Sequence, residues 1–212
     1  MALRLTDLLC AAEVGLVVGD GGGAFFERFA AAAAVSDQAS DDPLDHYTAR
    51  ITAAALTAVL GPADAGVWAL RHPFDDQPPL LPMQALGSAA GLPAPGPLGI
   101  QIHPRFGPWW AYRAFVILSF GSADVAAASV PLANLCSGCP APCVAACPGL
   151  AVQPQGFGVV ACAGHRLRDP GCHSTCVARR ACIVAPEHGY GDAQLGFHMA
   201  ASLASVRRYF GG

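Results

Sequence analysis

Cys136-Ser-Gly-Cys139-Pro-Ala-Pro-Cys143-Val-Ala-Ala-Cys147-Pro148 sets four thiols in one short stretch, spaced C-x2-C-x3-C-x3-C-P. Four more follow at Cys162, Cys172, Cys176 and Cys182, so eight of the nine cysteines fall in one segment of the chain. Between them lie no long periodic apolar runs. A segment of this kind has little from which to build a hydrophobic core, and thiols bridged by metal can take the place of one. The ninth cysteine, Cys10, is isolated and reads as a small buried apolar residue.

Three chemistries compete for the eight thiols. Disulfides need an oxidising compartment, and the N-terminus shows no export signal: Asp7 and Glu13 interrupt its apolar residues, and it reads as a helix. A zinc ribbon wants two C-x2-C knuckles, and only Cys136/Cys139 has that spacing. Iron–sulfur runs use closely spaced thiolates, C-x2-C-x2-C-x3-C-P in the bacterial pattern, often ended by Pro. The chain has one residue more in its middle gap and keeps the Pro. Iron–sulfur is therefore the leading reading, with zinc and disulfide as alternatives. Four plus four thiols is the ligand count of two 4Fe-4S clusters. In two-cluster ferredoxins the fourth Cys of each run ligates the other cluster. That pattern implies one site from Cys136, Cys139, Cys143 and Cys182, and a second from Cys147, Cys162, Cys172 and Cys176; one cluster, with the remaining thiols spare, is the alternative. His165, His173 and His188 lie in the same segment as less favoured ligands, and Arg179 and Arg180 could bring positive charge near the thiolates.

Composition bounds the rest. Of 212 residues, 53% are hydrophobic and 13% charged, which is a globular chain with room for one sizeable core and a small module. The net charge is −3 and the 12 basic residues, all Arg, form no block. This speaks against nucleic acid as a partner. The longest apolar run near the N-terminus is too short for a membrane span. The expectation is a cytoplasmic protein with no membrane partner.

Before the cysteines, apolar periodicity and turn residues predict an α+β domain. The expected elements are a strand Val14–Val18, a helix Ala24–Ala34, and a helix from Pro43 to about Leu60 with Ile51, Ala55 and Val59 as its buried stripe. A strand Gly66–Leu70, a loop His72–Pro82 and a helix Met83–Ala90 follow. Leu98–His103 and Trp109–Phe120 read as strands, and 122–135 as a linker. Gly191–Phe210 reads as a closing helix through Leu195, Met199, Leu203 and Val206. The expected division is 1–131, 132–190 for the iron–sulfur module, and 191–212 for the closing helix.

Gly99-Ile-Gln-Ile-His103-Pro-Arg-Phe-Gly-Pro-Trp-Trp-Ala-Tyr-Arg113-Ala-Phe-Val-Ile-Leu118 is a second distinctive stretch. It resembles the IHPRFGGWFAIRG signature of the cobalamin-processing (cyanocobalamin decyanase) family. Gly15-Leu-Val-Val, Phe26-Glu-Arg28 and Asp42-Pro-Leu-Asp45 fall in the same order as in that family, so the resemblance spans about residues 14–120. That family has no cysteine module. The epoxyqueuosine reductases do, joined in this order to a cobalamin-binding domain of nitroreductase-like fold, and Asp76-Gln-Pro-Pro79…Ala90-Gly-Leu92 is similar to their Asp-Ser-x-Pro…Ala-Gly-Leu run. Their Gly-Trp-x-Gly-Lys continuation is replaced here by Pro93-Ala-Pro95-Gly96, which removes the ground for a tRNA substrate.

The resemblance implies a nitroreductase-like domain binding cobalamin, or flavin mononucleotide instead, beside a ferredoxin-like module. It implies cofactor contacts from His103, Arg105, Phe106, Trp109 and Trp110, and a proton donor at Asp76, or at Asp75 with a one-residue slip. The function so implied is an iron–sulfur oxidoreductase, or an electron-transfer protein, that passes electrons to the cofactor and exchanges them with a donor or acceptor protein. The alternatives are a ferredoxin-type carrier with a ligand-free N-terminal domain and a zinc-stabilised interaction protein. Each residue also has a plainer reading: His103 as a strand end satisfied by backbone, the two Trp as core aromatics, Asp75 and Asp76 as turn residues, and Arg113 in an inter-strand ion pair. Oligomeric state is open.

Overall fold

A computed structural model of the protein describes residues 14–32, 37, 39–63, 66–119 and 132–211. Cys10, the N-terminal helix and most of the expected linker lie outside the described residues. Helices and strands are mixed, as an α+β chain requires, and they group into two compact units that do not follow chain order. One unit comprises Met1–Asp20, Ala24–Gly91 and Ala111–Pro131. The other comprises Gly21–Gly23, Leu92–Trp110 and Leu132–Gly212. The stretch around His103 and the closing helix thus belong with the cysteines, which differs from cuts at 131 and 190.

In the first unit, strands β1 (Val14–Gly21), β2 (Trp68–Arg71) and β3 (Trp110–Leu118) form a sheet in the order β1-β3-β2. Strand β2 runs antiparallel to β3, from Trp68 opposite Leu118 to Arg71 opposite Phe115. Ala114 to Leu118 are all buried, because the central strand is covered on both faces. Alternation divides them. Val116 and Leu118 join Val14 and Trp68, with Leu56 and Leu60 of helix α2 (Pro43–Leu60) packed against them. Phe115 and Ile117 join Met83, with Leu86 of helix α3 (Met83–Ala89).

The buried face of α2 differs from expectation. Its buried residues are Leu44, Tyr47 and Thr48, whereas Val59 is 80% exposed. The helix is so rich in Ala, Thr and Val that periodicity does not choose a face. The choice is made by helix α1 (Ala24–Ala32), whose Phe25 and Phe29 meet the Tyr47 ring edge-on at 5.8 and 5.5 Å. Asp42 precedes Pro43 but makes no side-chain cap. Arg113 is buried and donates from Nε to Asp20 of β1, with its guanidinium 4.8 Å over Phe25.

The second unit is built of short pieces: helices α4 (Pro142–Ala146), α5 (Val159–Arg168), α6 (Val177–Arg180) and α7 (Asp192–Phe210). Strands β4 (Val152–Gln153) and β5 (Gly156–Phe157) form a minimal hairpin. Leu98–His103 is not a strand. Its last residue makes an isolated bridge to Gly107, closing a turn, because the Pro and Gly around it leave no ladder partner. Its core is small and divided: Trp109, Tyr190 and Leu195 in one cluster, Cys143, Val152 and Ala178 in another. No described helix is long and apolar enough to cross a membrane.

Candidate metal centre

The local sequence explains how one short run serves two places. Gly138, at φ +75°, turns the chain between Cys136 and Cys139, and Asn134 accepts a hydrogen bond from the Cys136 N–H at 3.0 Å. Pro142 then starts α4, which carries Cys143. Cys147 lies four residues on and would share the face of Cys143 if the helix continued. It does not continue. Pro148 bars its predecessor from helical backbone, and Cys147 is extended, at φ −78° and ψ 108°. Cys143 and Cys147 therefore diverge.

Cys136, Cys139 and Cys143 face one cavity together with Cys182, which follows α6. Cys147 faces another with Cys162 on α5, Cys172 on a single 3-10 turn and Cys176 at the start of α6. Leu98 lines both cavities. The first cavity is narrow and the second much roomier. All eight thiols are free.

Electrostatics follow the same division. Burial raises the thiol pKa of Cys136, and its neighbours Cys182, Cys139 and Cys143 raise it further. Cys143 and Cys182 are raised by burial in the same way. Burial likewise raises Cys162, where Cys176, Cys147 and Cys172 add to the effect and Arg166 opposes it. Cys172 is raised by burial, then by Asp169, Cys176 and Cys147. Four half-buried or buried thiols so close together cannot all ionise without positive charge among them. The first group already has polar hydrogen aimed at its sulfurs. The Ala141 N–H donates to Cys139 Sγ at 3.4 Å, and backbone N–H groups at Val144 and Val184 favour the Cys143 and Cys182 thiolates.

Two features bear on what could fit. Among the described residues, no group of three or more His, Cys, Asp or Glu is arranged to hold a metal ion. Tetrahedral zinc, with bonds of about 2.3 Å, would draw its sulfurs to within about 3.8 Å of one another. Second, Gly96 is a cradle: a Cβ there would lie 2.6 Å from Cys136 Sγ. Each group offers four thiols, a donor set of the kind that binds thiophilic metals.

His103, Arg105, Phe106, Trp109 and Trp110 line neither cavity. His103 Nδ1 accepts from the N–H of Arg105 at 3.1 Å and of Phe106 at 3.3 Å, so its ring closes its own turn. Burial and the Arg105 charge push its pKa down. Phe106 lies where a Cβ on Gly21 would fall, and its ring meets His188 at 4.9 Å. Trp109 is 3% exposed and packs on Tyr190 at 5.4 Å. Arg179 donates to the Pro108 carbonyl and lies over both rings, at 4.9 and 4.8 Å. Trp110 Nε1 donates to the Gln101 carbonyl, and Arg105 is exposed. Arg180 forms a surface ion pair with Asp192 at 2.8 Å.

Asp76 is exposed and its carboxylate accepts from Gln77. Its neighbour Asp75 is the engaged one, bound by Arg71 Nε at 2.9 Å and the His72 N–H at 2.8 Å. Sequence reasoning missed Gly96, Leu98 and Arg166. A Gly beside Pro gives no sign that a distant sulfur will lie against it. Arg166 follows Cys162 at i+4 on the face that buries Ala163, which is a legible helical signal only once α5 is recognised.

No protein-family model, curated protein or solved structure matches the chain at a significant level.

Proposed function

We propose that the protein is a two-cluster iron–sulfur electron-transfer protein. The observation that carries this reading is the partition of eight free thiols into two groups of four, each facing its own cavity. Cys136, Cys139, Cys143 and Cys182 would hold one cluster, and Cys147, Cys162, Cys172 and Cys176 the other. Such clusters supply one-electron chemistry with little change in structure. The chain's own part is to exclude water and to set the charge around the thiolates. Leu98, Ile102 and Ile183 cover the first group, and the amides near Cys139, Cys143 and Cys182 stabilise negative sulfur.

The cobalamin or flavin implied by the resemblance would have to displace existing contacts. His103 is engaged by its own turn, and Trp109 belongs to the core of the second unit. The carrier reading, with an N-terminal unit that holds no redox cofactor, asks for no such rearrangement. Anaerobic purification with iron and acid-labile sulfide analysis tests the proposal. Stoichiometric iron and sulfide with broad visible absorbance support it, and stoichiometric zinc without sulfide overturns it.

A further inference from the structure

Resting on the cluster reading, we infer that Arg166 is the buried counter-charge of the anionic group held by Cys147, Cys162, Cys172 and Cys176, and raises the reduction potential of that group alone. Arg166 is 6% exposed. It donates to the Cys172 carbonyl at 3.2 Å, to Ser202 Oγ at 2.8 Å and to the Met199 carbonyl at 3.0 Å. All three acceptors are neutral. Among the described residues, no carboxylate stands within ion-pairing distance of it. Burying a guanidinium this deeply is unfavourable unless negative charge lies close by. What lies close by is the second cavity, which Arg166 lines together with the four thiols. Its charge already favours the thiolates of Cys162 and Cys172.

The first cavity has no charged side chain in its lining. The other charges at the second cavity are engaged elsewhere. Arg179 is held on Trp109 and Tyr190. His165 faces Asp169 at 3.1 Å, and that carboxylate, which opposes Arg166 at Cys172, is 44% exposed and so partly screened. Reduction moves one electron from a donor to the group, makes and breaks no bond, and adds one unit of negative charge. A fixed buried cation therefore favours the reduced state. Arg166 is a positioning and tuning residue, not a ligand.

The test is a potentiometric titration of the full chain, loaded anaerobically, with dithionite as the reductant and electron paramagnetic resonance as the readout. Cys139→Ala assigns the two signals. Arg166→Gln should lower the second potential by at least tenfold in the reduction equilibrium, about 59 mV for one electron, and leave the first unmoved. Arg166→Lys, which keeps the charge and loses the fork of hydrogen bonds, should recover most of the shift. Asp169→Asn should move the second potential up. An unshifted Gln variant, or equal shifts for Gln and Lys, overturns the inference while the cluster reading stands. If Arg166→Gln loads only one cluster, Arg166→Lys decides: a second potential close to wild type supports the inference, and one lowered tenfold or more in the reduction equilibrium overturns it. A wild-type protein without iron or sulfide fails the cluster reading, and the inference falls with it.

Discussion

The two units are held together by different means. The first surrounds a three-stranded sheet with large apolar side chains on both faces, and residues such as Val116 and Ile117 are only 3% exposed. The second has two small clusters, one of which contains Cys143, and its helices α4 and α6 are only 5 and 4 residues long. Helices this short do not persist on their own. The contrast teaches that apolar burial is the stabilising term in the first unit, while in the second the proposed clusters would add what its small core does not supply.

Loss of metal is the sharpest way to break that contrast. Prolonged anaerobic chelation should unfold the second unit and leave the first protected, read by amide hydrogen exchange at β3 against α5. Equal loss of protection in both would dissolve the distinction. Cys139→Ala should remove about half of the iron, since one of two four-thiol groups is broken. Unchanged iron would show that Cys139 ligates nothing. In the other direction, Ile117→Ala should cost the first unit about 2–5 kcal/mol through the cavity it leaves. Iron content per folded chain should not change, which thermal melts and metal analysis on one sample would check.

A subtler intervention is Gly96→Ala. Its methyl would fall on Cys136 Sγ, so cluster loading should drop with the first unit's melting unaffected. Loading equal to wild type would mean that the 92–103 loop yields easily. The smallest effect concerns pH. His72 is 8% exposed, lies 3.2 Å from Thr52 Oγ1 and stacks on Phe74, and burial lowers its pKa despite Asp75, with Arg71 acting in the same direction as burial. A lowered histidine pKa means that the fold prefers the neutral ring. Its contribution is complete above the unfolded-state value of about 6.5 and is lost as pH falls through the folded value. The first unit should therefore soften on mild acidification, and His72→Gln should flatten that dependence. An unchanged slope in stability against pH would remove His72 as its source.

Much of this was legible in the sequence where chemistry is local. Pro148 sends Cys147 away from Cys143 because proline restricts the residue before it, and that needs no distant partner. Strand β3 announces itself by an apolar run, and α7 by Leu195 and Leu203 at helical spacing. The buried face of α2 was not legible, since Ala, Thr and Val on several sides give no unique stripe and Phe25 and Phe29 choose among them. Nor was α5 expected, because its mean composition is balanced between apolar and basic residues.

The sequence by itself determined the number of thiols, their two runs and the turn residues between them, since these depend on neighbours a few positions away. Only the tertiary structure decided that Leu98 lines both cavities, that Gly96 lies against Cys136, and that Arg166 is buried beside the second group without a carboxylate. It likewise decided that the His103 turn groups with the cysteines and not with the sheet that its neighbours enter. Most of these contacts join residues tens of positions apart, as Gly96 meets Cys136 and Arg166 meets Met199 and Ser202. They arise from packing volume and buried charge, and neither has a period or a spacing in the chain.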